Sequence, residues 1–533
     1  MQRRVSRRLI GVSTVVLAGG AVALAVMPTA SAANANSFLG DAGPANTKAA
    51  GTVRANGLAP GLREAIVANG AMPLTNGTSD IPFYGYRGDG TMVPAAGGFT
   101  EATKTEPDKN TYLVLGDQHY LFQGHELGPN GYVTRINLDA PIGQRVTLIS
   151  NQDTAGKPLP VFDGSTWDPF GQRLLLTAES SSVGGVWQVP TAPGSRAESL
   201  QGEIGIASYE GVQNDSAGNV WLVEDAGGTT INGAKLPNSF VYRFKPADKT
   251  DLTQGGQLQA LQVLSNTADR HPLTFASSTA NSTSPLTPDV KELHTGGANF
   301  ETKWVTIHDT ATDGFSTFDA NAAAKAAGAT PFKRPENGVF RPGVKFKEFF
   351  FTETGDTSAS SPANGSYGGW GSLMHLTQSD PTSDFGKLSM FFAGNQEHTG
   401  LDNIAFLSKN LLTAVEDAGD GLHSQRNALD SAYTWDVTKS YQFQQPNRWL
   451  AEGRDASATV DSGLSDAKAA NVPGAQSYQN EGDNEITGIH VSNGDPTVKG
   501  ILGTKAPSPF DAGWRVFWTQ QHGDNNTWEV LPG

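Results

Sequence analysis

The most constraining feature of this sequence is a recurring short unit. A turn rich in Gly, Asp, Asn or Pro leads into four to six apolar residues, and an acidic or amide side chain follows at once. Trp167 to Gln172 leads into Arg173–Thr177 and then Glu179; Asn214 to Asn219 leads into Val220–Val223 and then Glu224-Asp225; Leu407 to Asn410 leads into Leu411–Val415 and then Glu416-Asp417. Phe349–Thr352 ends in Glu353, Tyr120–Phe122 runs into Gly124-His125-Glu126, and Val516–Thr519 into Gln520-Gln521-His522. Turn residues of this kind supply the left-handed dihedrals that a hairpin needs, and runs this short are strands rather than helices. The pattern predicts an all-β chain of about six such units, the number expected of a mid-sized β-propeller with long inserted loops and a few short helices. Two packed β-sandwiches would also end their strands in polar residues. The inserts fall around Gly255 to Gly297 and Trp435 to Asn480, and Asp319 to Gly328 reads as the clearest helix.

Composition narrows the chemistry. The 533 residues contain no cysteine, which removes disulfides, thiolate-held zinc or iron–sulfur groups and a thiol nucleophile together. With 38 basic and 53 acidic residues, and no basic run beyond the first eight, the chain lacks the clustered cations of a nucleic-acid binder.

Residues 1–32 read as an export signal. Arg3, Arg4, Arg7 and Arg8 precede an apolar run from Leu9 to Val26, and Ala30-Ser31-Ala32 gives the small residues of a cleavage site. A single membrane anchor is the competing reading. Ser6-Arg7-Arg8-Leu9-Ile10 is similar to a twin-arginine signal, an address for exporting folded proteins. Losing those four arginines and no acid takes the net charge from −15 to −19. Residues 33–98, rich in Ala, Gly, Asn and Pro, read as an extended lead-in, and residues 99–533 as the propeller domain. The expected product is a secreted monomer with no stable membrane span.

Acids at the ends of converging strands crowd into one place, where several carboxylates stay ionised together only with a cation or bound protons. Oxygen donors without thiolates favour calcium or magnesium. The candidates are Glu126, Glu179, Glu210, Glu224, Asp225, Glu336, Glu416 and Asp417, with His125 and His522 beside such positions. In Lys333-Arg334-Pro335-Glu336-Asn337, Arg334 could grip an anionic substrate or pair with Glu336 or a sheet edge. Neither a Gly-x-Ser-x-Gly elbow, a phosphate-cradling Walker loop nor a His-Glu-x-x-His helix is present.

At these residues the chain resembles the secreted PhoX-type alkaline phosphatases. The matching segments are Gly124-His125-Glu126, Thr166 to Glu179, Tyr209-Glu210-Gly211-Val212, Arg334-Pro335-Glu336, Asp402-Asn403 with Val415-Glu416-Asp417, and Glu485-Ile486-Thr487-Gly488. The resemblance implies a six-bladed propeller with calcium and iron at the channel mouth, hydrolysing small phosphate monoesters. By position it implies metal ligands at Glu126, Glu179, Glu210 and Glu336, a further cation site at Glu416 and Asp417, and catalytic roles for Arg334 and Glu336. Ala178 stands where the family pattern has an iron-holding cysteine, so calcium is expected and iron is in doubt. Gly124, Ser180 and Tyr209 also depart from the pattern. A calcium-dependent lactonase and a non-catalytic, calcium-binding secreted propeller are the alternatives.

Overall fold

Aspartate side chains brace the turns that feed the strands. At Asp215–Asn219, Asp215 Oδ1 accepts the backbone N–H groups of Ala217 (2.8 Å) and Asn219 (3.1 Å), and Gly218 turns the chain at φ +92°. Asp215 Oδ2 then accepts the indole N–H of Trp221 at 2.9 Å, tying the turn to the strand it feeds. Asp168 does the same for the N–H groups of Phe170 and Gly171.

The computed structural model describes residues 33–48, 55–87, 93–95, 98–100, 105–274, 284–453, 485–521 and 525–533. The export-signal reading of residues 1–32 and the candidate His522 lie outside them. Antiparallel sheets follow one another along the chain. Pro107–Leu115, Gln118–His125, Val133–Asn137 and Val146–Ser150 form the first. Ser165–Asp168, Arg173–Ala178, Gly185–Val189 and Glu198–Ser199 form the second. A nine-stranded sheet runs through Tyr209–Asn214, Val220–Glu224, Val241–Pro246, Gly256–Val263 and Phe300–Asp309. It continues through Phe385–Ala393, Ser372–Gln378, Glu348–Glu353 and Gly338–Phe340. Next come Leu401–Phe406, Leu411–Glu416, Ser431–Asp436 and Asn447–Ala451, and finally Glu485–Ser492, Arg515–Gln521 and Asn526–Pro532.

The arrangement is all-β and propeller-like, because the leading strands stand side by side in a closed series. Pro107–Leu115 lies against Ser165–Asp168, then follow Tyr209–Asn214, Gly338–Phe340, Leu401–Phe406 and Glu485–Ser492, which returns to Pro107–Leu115. Apolar clusters fill the space between sheets. In the largest, Trp221 packs edge-on to Trp304 and Phe340 with centroids 5.1 and 5.0 Å away; truncating such a side chain costs about 3–5 kcal/mol. Helices are few and short; Ala320–Ala326, capped by the Asp319 side chain on the Ala322 N–H, falls within the helix expected from the sequence.

The stretch 33–98 does more than lead in. Leu62–Ala68 pairs with Asn526–Pro532 as the outer strand of the last sheet, and Gly57–Leu58 pairs with Asn447–Ala451. Val93–Ala95 pairs with Gly98–Thr100 across the expected boundary. The Ala-rich composition hid Gly57–Leu58 and Leu62–Ala68, whose partners lie hundreds of residues away. No helix among the described residues is long and apolar enough to cross a membrane.

Candidate functional site

Bulges in the leading strands build the site. The register passes from Pro107↔His125 to Asn110↔Gln123, so Asp108 and Lys109 oppose one residue. It slips the same way between Tyr209↔Glu224 and Val212↔Leu222, around Glu210, and between Leu401↔Glu416 and Ile404↔Ala414, around Asp402. In the last sheet the slip falls at Thr487. A bulge breaks the two-residue alternation and re-aims a side chain, and all four of these residues line one cavity of about 360 Å³. Glu336, just before Gly338–Phe340, joins them there. Asp163, before Ser165–Asp168, lies next to Glu179 and Glu210. Gly164 permits the close approach there, since a Cβ would come within 2.1 Å of the Glu210 carbonyl oxygen.

The second strands supply the other wall. Glu126, Glu179, Asp225 and Asp417 each come one residue after the strands Gln118–His125, Arg173–Ala178, Val220–Glu224 and Leu411–Glu416, and all four line the cavity. The last residue of each strand does not. Glu224 accepts hydrogen bonds from Tyr242 Oη (2.7 Å), the Phe240 N–H and Asn321 Nδ2. Glu416 is held by the Arg426 guanidinium (3.0 and 3.2 Å) and the Thr399 N–H, outside the acidic cavity. Alternation along the strand turns it away from Asp417, so the expected pairing of Glu416 with Asp417 in one cation site is corrected. His125 is buried against the Tyr132 ring, 4.0 Å between centroids, with both nitrogens near threonine hydroxyls, and is no ligand here. Ala178 is fully buried in the apolar cluster with Leu176 and Trp187.

The acids form a linked series. Ligand atoms of Asp108, Glu126 and Asp163 lie within 4.8 Å of one another, as do those of Asp163, Glu179 and Glu210, and of Glu210, Glu336 and Asp402. Burial and mutual repulsion push the carboxyls of Asp108, Asp163, Glu179, Glu210, Glu336 and Asp402 well above their ordinary range. Asp417 is raised by burial and by Glu485, which also lines the cavity. Asp163 takes the Glu179 N–H on Oδ2 at 2.8 Å, while its buried Oδ1 has no hydrogen-bond partner. An orphaned buried carboxylate oxygen among crowded acids is the donor set of a hard cation. The residues therefore fit calcium or a similar ion, and offer no thiolate to a softer one.

Three cations face these acids. Lys109 donates to Asn337 Oδ1 at 2.7 Å, and burial lowers its pKa to about 8 against the pull of Asp108, Asp402 and Glu210. Lys235 lines the rim. Arg334 reaches in with Nε and Nη2 both on Asp225 Oδ2 (2.8 and 2.6 Å) and Nη2 3.4 Å from Glu336. Burial works against the charge on Asp225, but that guanidinium outweighs it and holds the carboxyl low. Thus Arg334 does pair within the protein, with Asp225 ahead of Glu336.

Its backbone is in the left-handed region at φ +58°, a strained place for arginine. The surroundings impose it: the Thr354 N–H donates to the Arg334 carbonyl, the Lys333 N–H to Glu353 Oε1, and Lys333 Nζ to Asp356 at 2.7 Å in a buried pair. Thr354 Oγ1 donates to Glu336 Oε1 at 2.6 Å.

The family model described as alkaline phosphatase PhoX matches residues 212–474. Over that stretch the chain is similar to the PhoX family. Its fold is similar to that of Pseudomonas fluorescens PhoX, solved with vanadate as a transition state analogue, at TM-score 0.54 and 12% identity over 93% of this chain and 98% of that one. A gluconolactonase from Xanthomonas campestris is more distant, at TM-score 0.38 and 11% identity over 83% of this chain and 98% of that one. No curated protein matches the chain in sequence. Of the residues that line the cavity, the strand-end pattern found Glu126, Glu179, Asp225 and Asp417, and Glu210, Arg334 and Glu336 were singled out besides. It missed Asp108, Asp163 and Lys109 as site residues and quoted Asp402 and Glu485 only within motifs.

Proposed function

We propose that the chain is a secreted, cation-dependent phosphatase acting on phosphate monoesters, on a six-bladed propeller. The blade count treats the nine-stranded sheet as two four-stranded blades bridged by Phe300–Asp309. The observation that carries the reading is the linked carboxylate series beside a strained, anchored arginine.

Glu126, Asp163, Glu179, Glu210, Glu336 and Asp402 would hold the cations, with Asp108 and Asp417 flanking them. A bound divalent cation supplies Lewis acidity, polarising a phosphoryl oxygen and offsetting charge that grows during transfer. Arg334 binds the phosphoryl group. Fixed by Asp225 through Nε and Nη2, it can turn its remaining N–H groups to phosphoryl oxygens without reorganising as charge develops. Thr354 holds the same oxygen of Glu336 that lies nearest Arg334, which fixes the orientation of that carboxylate beside the guanidinium. Lys109, below the floor, offsets part of the acid excess. In the reaction a water oxygen adds to phosphorus, the ester P–O bond breaks, and the alcohol leaves with a proton.

Support for the phosphatase reading comes from the family match and from the all-oxygen site. The test is hydrolysis of an aryl phosphate by the purified mature protein with Ca²⁺ supplied, with and without iron, beside a Glu336→Ala control and a lactone substrate. Phosphate release above the control is the expected result; turnover of the lactone alone would replace this reading with the lactonase one, and no turnover of either would end it.

A further inference from the structure

A second cavity, of about 410 Å³, lies where the N-terminal segment passes the sheet that begins at Leu401. Pro44 and Ala45 form one wall, and Glu416, Arg426, Tyr433 and Arg448 the other. It backs onto the acidic cavity, because Glu416 lines one and Asp417 the other. We propose that it is an oxyanion-binding site for a small phosphate- or carboxylate-bearing ligand, held between Arg426 and Arg448.

Arg426 is 4% exposed, and its terminal nitrogens are committed to Glu416 and Asp430. Its buried Nε has no hydrogen-bond partner. Arg448 is half-buried and has no carboxylate within 4.0 Å among the described residues. It donates from Nε to Ser431 Oγ (3.0 Å), from Nη1 to the Gly43 carbonyl (2.9 Å) and from Nη2 to Tyr433 Oη (3.1 Å). A guanidinium carries five N–H donors, so two remain on Arg448 and its charge is balanced by neutral acceptors only. The Tyr433 ring, 5.2 Å from its carbon, holds the fork flat. A planar fork with two spare donors suits a carboxylate or phosphate edge.

The buried acids beside the cavity are taken up by Arg426 and leave Arg448 without a carboxylate partner among the described residues. Glu416 is spent on Arg426, and Asp430 is shared with His423 at 2.8 Å. Glu397 lies exposed at the rim. Buried His398 is pushed down to about 4, first by burial and then by the positive charges of Arg448 and Arg426.

The test is calorimetric titration of the full mature chain in chelator, which leaves the acidic cavity repelling anions, with inorganic phosphate and citrate as separate probes. Saturable one-site binding of either is expected, and which one binds identifies the source. Arg448→Gln should weaken it by about tenfold or more. Ala45→Trp, which fills the cavity from the far wall and leaves both arginines in place, should block it in a protein that melts as the parent does. No saturable binding of either probe, or binding unchanged in both variants, overturns the proposal. Because no phosphatase activity is read, its failure is distinct from failure of the catalytic reading.

Discussion

Glu210 belongs to two of the carboxylate triads, so neutralising it as Glu210→Gln tests whether the acids are a cation site or ordinary polar lining. Two carboxylate oxygens 4.8 Å apart repel by about 3 kcal/mol at an effective dielectric of about 20. Without cations the folded protein relieves this by binding protons, and the raised carboxyl pKa values record it. The sign follows directly. Between the unfolded and folded pKa values the folded state binds more protons, so metal-free stability falls as pH rises through that window. Removing one charge should therefore stabilise the metal-free protein by about 3 kcal/mol at pH ~9. With an unfolding entropy near 2.1 cal/mol/K per residue, a chain of this length moves about 1 °C per kcal/mol, so the variant should melt ~3 °C above the parent. The gap should vanish near pH ~4, where the unfolded carboxyls also bind protons. Calcium should reverse the order: a site filled at about 100 times its Kd adds ~2.7 kcal/mol to the parent, and the variant lacks a ligand shared by two triads. Scanning calorimetry in chelator and in Ca²⁺ at the two pH values reads all four melts. A variant that melts below the parent in chelator at high pH, with the same calcium shift, would refute the reasoning.

Arg334→Lys keeps the charge but loses the fork on Asp225, and aryl phosphate turnover should fall roughly 10²–10³-fold with little change in melting temperature. Glu416→Gln leaves buried Arg426 short of a counter-charge and should cost about 3 kcal/mol in urea unfolding, yet leave the calcium-dependent melting shift intact; loss of that shift would restore Glu416 to the cation site. Glu224 is raised by burial from 4.5 to about 7, so stability it provides when protonated is lost as pH climbs from about 4.5 through 7; Glu224→Gln should flatten the stability profile in that window.

The second strands of the sheets were legible because each ends an apolar run with an acid. Strand parity carries the finer distinction: in Glu224-Asp225 and Glu416-Asp417 neighbours face opposite ways, and only the acid past the strand end meets the cavity. The leading strands were not legible. No apolar run marks Asp163-Gly164, Asp402-Asn403 stood out only as part of a matching segment, and the bulges that aim Asp108, Glu210 and Asp402 inward depend on register with a partner strand. Leu62–Ala68 was hidden for a related reason, since nothing near it in sequence announces Asn526–Pro532.

That last pairing sets an order of events. The stretch Leu62–Ala68 is made long before its partner Asn526–Pro532, so it carries an open strand edge until that distant strand has been synthesised. A stop codon just after Gln521 would strip partners from two strands at once, leaving edges that invite pairing between copies. The first and last strands in sequence of that sheet thus act as a clasp that closes only after the sheets between them have been made.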